Sequence, residues 1–257
     1  MRPHAHIPYE RIANHRDLLN KYKIDLEVYI SSRILDTVEL SEIASLKNKL
    51  NYDPELTIHA PFMDLSPGAI DSLVRKVTVQ RFSTIIEIAG SLGAKAVVFH
   101  SGYEKWKYGL KIEPWLEGSI KTWKEILERV AGRFLVLIEN IFEDEPANLR
   151  LLMEEIDIPN FGLCFDTGHF NLFSRVSLQE WLSHTLPYIR ELHLHNNDRT
   201  SDQHYPVDEG TFNMVELLEI IGQRYCIYTI EAHTPEHFLK SLKWLEEFKA
   251  SRVRSLA

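Results

Sequence analysis

The sequence predicts an α/β chain folded as a single (β/α)8 TIM barrel, and three observations carry that expectation. Its 257 residues suit one barrel of this kind, which takes about 250. Short apolar or β-branched runs alternate with longer stretches of helical spacing. Metal-binding residue types close successive runs, as they would if parallel strands all emptied onto one face. One domain is therefore expected over residues 1–257.

Taken in order, the strand runs are Ala5–Tyr9, Asp25–Ile30, Leu56–His59, Ala96–His100, Leu135–Glu139, Phe161–Asp166, Glu191–His195 and Tyr228–Glu231. Between them, the spacing predicts helices that include Asp71–Leu92, Glu117–Ala131, Leu178–Leu186 and Asn213–Ile221, with Glu236–Ser251 closing the chain. Gly93, Gly132 and Gly222 follow three of these stretches, where a left-handed helix stop costs glycine least.

A hydrophobic fraction of 44% beside 26% charged residues is that of a globular chain with a sizeable core. The formal charge of −8 argues against non-specific gripping of nucleic acid. Cys164 and Cys226 form no C-x-x-C pair and cannot build a disulfide framework, which points to a reducing cytoplasm. The polar stretch Met1–Asp17 has no apolar leader segment, and the longest apolar runs are far too short to span a bilayer.

His59, His100, Glu139, Asp166, His195 and Glu231 end successive strand runs. In a parallel barrel these scattered residues are gathered into one ring at the C-terminal mouth. Period-two alternation agrees: Leu135 and Leu137 share the inward parity of Glu139, and on the seventh run Leu192 and Leu194 face out while His193 and His195 face in. A ring of imidazoles and carboxylates suits a divalent transition metal, zinc first, with manganese, iron or cobalt also compatible. His169, three residues after Asp166, and the pair Asp202-x-His204 extend the set. The polar loop His195–Gly210 that carries the pair is expensive to order unless something such as an ion holds it.

These residues resemble the xylose-isomerase-like TIM-barrel superfamily, which includes endonuclease IV and many sugar isomerases and epimerases. The resemblance runs from Leu56 onward and is carried by His59-Ala-Pro-Phe62, Phe99-His-Ser-Gly102, Ile138-Glu-Asn140, Cys164-Phe-Asp-Thr-Gly-His169, His195-Asn-Asn-Asp198, Asp202-Gln-His204 running to Asp208-Glu-Gly210, and Ile230-Glu231. Epimerase-like members resemble Glu139, Asp166, His195 and Glu231 around one ion, with Glu139 and Glu231 as the catalytic acid/base pair. Endonuclease-IV-like members add His59 and His100 for a second ion and His169, Asp202 and His204 for a third. The resemblance thus implies up to three ions and phosphodiester hydrolysis, with a single-ion sugar (phosphate) isomerase or epimerase as the alternative.

The chain departs from endonuclease IV where DNA would lie. Met63–Gly68 lacks that family's polar, tyrosine-rich continuation, and Glu143-Asp144-Glu145 is an acidic patch expected to repel phosphates. A small phosphate-containing substrate is expected in preference to DNA. The loop Ser101–Tyr108 offers Tyr103 and Trp106 for stacking on a ring, and Arg199 offers a guanidinium for phosphate. His193 is expected to support a ligand or pack in the inner layer rather than bind an ion itself, and Cys164 to be core filler, while His4, His6 and His15 show no partner spacing.

Overall fold

The computed structural model describes residues 2–255. Its eight parallel strands are β1 (His4–Pro8), β2 (Asp25–Tyr29), β3 (Leu56–His59), β4 (Ala96–His100), β5 (Leu135–Glu139), β6 (Phe161–Asp166), β7 (Ile189–Leu194) and β8 (Ile227–Ile230). They pair in sequence order, and β8 closes on β1. The single (β/α)8 barrel read from the sequence is therefore the fold.

Strands β3 to β6 match the expected limits, and β1, β2, β7 and β8 shift by one to two residues. Two shifts concern the mouth: β7 and β8 stop at Leu194 and Ile230, so His195 and Glu231 stand one residue beyond their strands. The reason is local. The amide of His195 leaves the ladder to donate to Thr167 Oγ1 at 3.1 Å, while that of Glu231 still reaches Leu194 O at 3.3 Å.

Alternation along the strands divides the interior. Val97, Phe99, Val136, Ile138, Leu163, Phe165, Leu192 and Leu194 pack outward into the main core against the helices. Ala96, Val98, Leu137, Cys164 and Ile227 form a small separate cluster inside the barrel, as the inward parity of Leu137 and Cys164 required. On β2, β3, β7 and β8 the buried inward residues at the same depth are polar: Glu27, Thr57, Glu191, His193 and Thr229.

The helices start where side chains can satisfy their free amides. Asp71 caps the helix Ser72–Leu92 through Leu73 N at 2.8 Å. Ser177 and Asn213 cap Leu178–Thr185 and Met214–Ile221. Gly93 and Gly222 cap helix ends at positive φ, whereas Gly132 follows Ala131, which takes the left-handed position itself. Glu113–Val130 begins a turn earlier than its apolar spacing suggested, with Pro114 in its first turn, where proline costs a helix nothing. Ile12–Tyr22, a helix the spacing did not single out, buries only Ile12 and Leu19, so its apolar stripe is thin. No helix among the described residues is long and apolar enough to cross a membrane.

The helix Glu113–Val130 also fixes two mouth loops. Trp115 Nε1 donates to Ser101 O at 3.0 Å and Thr122 Oγ1 to Pro67 O at 2.7 Å. Backbone approaches backbone here, since a Cβ on Gly118 would lie 2.9 Å from the carbonyl carbon and oxygen of Gly68. Gly118→Ala is therefore expected to cost about 1–3 kcal/mol by overpacking. Thermal denaturation checks this, each kcal/mol lowering Tm by about 2–4 °C for a domain of this size.

Candidate metal centre

The nine residues expected as ligands converge on the mouth. Glu139, ending β5, is 1% exposed and offers its two oxygens to different partners. His59 Nε2 and His100 Nε2 lie 3.1 and 3.4 Å from Oε2, while His169 Nδ1 lies 3.0 Å from Oε1. Asp166 faces His195 Nε2 at 3.0 Å. Asp202 Oδ2 collects a third group, 3.4 Å from His169 Nε2 and 3.0 Å from His204 Nε2. Glu231 joins the groups, with Oε2 3.5 Å from His204 Nδ1 and 3.9 Å from His195 Nε2.

The sequence motifs now acquire physical reasons. Phe62 stacks on the His100 ring at 4.1 Å. Asn140 ties β5 to β6, donating to Asp166 O at 3.0 Å and accepting from Asp166 N at 2.9 Å. Asp166 also caps the helix Thr167–Phe173 through His169 N at 2.6 Å, so cap and candidate ligand are the same carboxylate. Gly168 is small by necessity, because a Cβ there would fall 2.0 Å from His195 Cε1.

The loop after His195 is held by more than a candidate ion. Asn196 Nδ2 donates to Val207 O and Phe212 O, each at 3.1 Å. Backbone bonds between Asn196 and Tyr205 fold the loop back on itself. This brings His204 over the site, its ring stacked on His195 at 4.0 Å. The loop was expected to need something to hold it, and its asparagines supply part of that hold.

Burial pushes the Glu139 and Glu231 carboxyls upward, but the surrounding histidines hold both well below the usual carboxylate range. Burial lowers His169, yet Asp166, Asp202 and Glu139 raise it well above the ordinary imidazole value. Several buried polar atoms here make no hydrogen bond: His6 Nε2, both nitrogens of His193, His195 Nδ1 and Asp202 Oδ1. Such atoms are costly in a protein interior, and imidazoles and carboxylates left this way are what divalent cations take up. His59, His100 and Glu139 form one grouping able to hold an ion, and His195, His204 and Glu231 another.

Above the centre opens a cavity of about 750 Å³. Tyr29, Phe62, Met63, Phe142 and Phe173 give it apolar walls, with Arg11 and Lys107 as cations and Asp64 and Glu104 as anions. Tyr103 lines it, as expected, but two other expected contacts do not. Trp106 is 69% exposed and outside the lining, with Lys105 Nζ over its ring at 5.5 Å. Arg199 is outside the lining, its Nε donating to Asn171 Oδ1 at 3.1 Å.

The acidic patch is also largely spent within the protein. Glu143 is buried and accepts from Ser101 Oγ at 2.5 Å and Ile141 N at 2.6 Å. Asp144 pairs with Lys105 and with Arg175. Glu145 is left exposed, so the patch repels far less than three free carboxylates would.

Several residues of the centre carried no sequence signal of their own. His6 Nδ1 lies 3.2 Å from Glu231 Oε1, and His233 stacks on His204 at 4.4 Å. Inward parity on β1, next to the strand that presents Glu231, could have found His6. His193, expected either to support a ligand or to pack in the inner layer, reaches Glu231 Oε1 at 3.0 Å. His4 instead sits at the far end of the barrel beside Thr57 and Glu55.

The family described as xylose isomerase-like TIM barrel matches residues 27–248. Uncharacterized protein MJ1311 of Methanocaldococcus jannaschii is 28% identical over 249 residues, 93% of this chain and 83% of that one. TTHB071 protein from Thermus thermophilus, a structure soaked with ZnCl2, is 26% identical with a TM-score of 0.82, covering 98% of this chain and 99% of that one. A D-tagatose 3-epimerase-like protein shares the fold at 24% identity and TM-score 0.81, over 99% of this chain and 100% of that one. Endonuclease IV from Thermus thermophilus shares it at 18% and 0.69, over 98% and 100%. The neighbours thus include both an endonuclease and an epimerase-like protein.

Protons and cations compete for this centre. Asp166, Asp202 and Glu139 favour the protonated form of His169, a proton that a bound cation would have to displace. Zinc affinity is therefore expected to rise from pH 6 through pH 8 with proton release, and calorimetric titration in buffers of different ionisation enthalpy measures both. A flat affinity over that range would contradict the assignment of His169.

Proposed function

Given that the chain belongs to the xylose isomerase-like TIM barrel family, we propose that it is a metal-dependent hydrolase cleaving a phosphodiester in a small nucleotide-containing molecule. The observation that carries this reading is the division of labour at Glu139. One oxygen faces His59 and His100, the other faces His169, and Asp202 gathers a further group with His204. A reaction that polarises one carbonyl and moves one proton needs only Glu139, Asp166, His195 and Glu231. The five additional ligands have a purpose where charge must be balanced on several phosphate oxygens at once.

In this reading His59, His100 and Glu139 hold one ion, Glu139, Asp166, His195 and Glu231 a second, and His169, Asp202 and His204 a third. Divalent ions bound there supply Lewis acidity toward phosphate oxygens and make water acidic enough to act near neutral pH. Zinc is favoured by the mixed imidazole and carboxylate set, and the zinc-soaked relative supports it.

The protein's own groups do the positioning. Asn140 and Thr167 fix Asp166 and His195 through backbone bonds, and His193 and His6 orient Glu231 through its Oε1. Lys107 places a cation at the mouth, and the aromatic walls offer faces for a base to stack on. A cavity of about 750 Å³ falls within the size range of small-molecule sites, which favours a small substrate over duplex DNA. The two cysteines are free and buried, in keeping with a cytoplasmic enzyme.

One observation favours a second reading. His193 Nδ1 lies 3.0 Å from Glu231 and 3.5 Å from Glu139, so the two carboxylates face each other across one imidazole, as the proton carriers of a single-ion epimerase would. The variant His204→Ala separates the readings. The hydrolase reading expects a loss of metal per chain and a fall in cleavage of a chromogenic phosphodiester at least as large as the roughly 10–100-fold typical of losing a ligand's supporting partner. Unchanged metal content, with ketose epimerisation intact, would establish the alternative.

A further inference from the structure

Beneath the mouth, β2 and β7 point Glu27, Glu191 and His193 into the barrel, and all three are 0% exposed. Glu27 and Glu191 each have one oxygen hydrogen-bonded, whereas neither nitrogen of His193 has a hydrogen-bond partner. Glu27 Oε2 accepts from Thr57 Oγ1 at 3.3 Å, Glu191 Oε1 accepts from Thr229 Oγ1 at 2.6 Å, and His193 Nδ1 faces Glu231 Oε1 at 3.0 Å. The other atom of each, Glu27 Oε1, Glu191 Oε2 and His193 Nε2, has no hydrogen-bond partner.

One ligand atom from each of the three residues lies within 4.8 Å of the others. His193 Nε2 approaches Glu27 Oε1 to 3.0 Å, a hydrogen-bond distance, yet the pair is not aligned as a hydrogen bond. His193 and Glu27 are thus close without being aimed at one another. That is the geometry of ligands around a shared centre rather than of donor and acceptor.

We propose that Glu27, Glu191 and His193 hold a further divalent cation inside the barrel, separate from the ions of the mouth. Two carboxylates and one imidazole are a ligand set for zinc or a similar transition ion. Two carboxylates packed this closely away from water need a compensating charge. A cation supplies it while also taking up the three orphaned atoms. Cys164, buried in the adjoining cluster and paired in register with Glu191, places a soft donor nearby. The ion would bolt β2 to β7 across the barrel and fix the ring of His193, whose other nitrogen addresses Glu231.

The competing arrangement is a proton shared by Glu27 and Glu191. Burial, with Glu27 alongside, pushes the Glu191 carboxyl well above its usual range, so a proton is a real competitor, and Glu191→Gln distinguishes the two because the amide mimics a protonated carboxyl. With a cation, the variant loses about one zinc equivalent per chain by elemental mass spectrometry and melts several degrees lower. With a shared proton, metal content is unchanged and the variant melts at or above the wild type, which would overturn the proposal.

Crystals of the wild-type protein grown with zinc give an answer that does not depend on the variant folding. An anomalous peak enclosed by Glu27, Glu191 and His193 is the expected result, and its absence beside occupied mouth ligands would also overturn the proposal. Peaks at the mouth are resolved separately in the same map, so this inference and the hydrolase reading stand or fall apart.

Discussion

The structure depends on one electrostatic constraint: carboxylates and imidazoles crowd into the dry mouth of a closed barrel. Glu139, Asp166 and Glu231 are at most 5% exposed, and an uncompensated buried charge costs several kcal/mol. Each is faced by histidines, which hold Glu139 and Glu231 ionised. Protons alone compensate them incompletely, because several imidazole and carboxylate atoms remain without partners. Divalent cations at these candidate ligands would answer both problems, and the surrounding architecture holds the ligand side chains in place.

That arrangement is built from backbone upward. Parallel strands closing in chain order deliver ligands far apart in sequence to one rim. Asn140 locks two strand ends together, Thr167 takes the amide of His195, and Asn196 folds the loop that returns Asp202 and His204 to the centre. Gly168 leaves room for the His195 ring. The supporting residues are mostly neutral amides and hydroxyls, which orient ligands without adding charge to a site already crowded with it.

Much of this was legible in the chain itself. Period-two alternation placed Leu137, Cys164 and Glu139 inside the barrel, and the strand-end pattern marked the residues that meet at the mouth. Side-chain direction beyond the strands was not legible. Trp106 and Arg199 sit in the right loops yet lie outside the cavity lining, and loop backbone has no period from which direction can be read. The acidic run at Glu143 misled for a related reason: sequence counts charges, whereas the fold spends Glu143 on Ser101 and Ile141. His6 showed no partner spacing, and Glu27 and Glu191 lie mid-strand away from the strand-end pattern, so only barrel closure reveals their neighbours.

The same scaffold serves an endonuclease and an epimerase-like protein among its neighbours, so the proposed chemistry turns on how many ions the mouth would hold. The central claim is that Glu139 bridges two of them. Electron paramagnetic resonance of the manganese-loaded protein tests it most directly. Two ions sharing Glu139 would give an exchange-coupled spectrum that collapses in Glu139→Gln. A spectrum of isolated, uncoupled manganese at full loading would contradict the account.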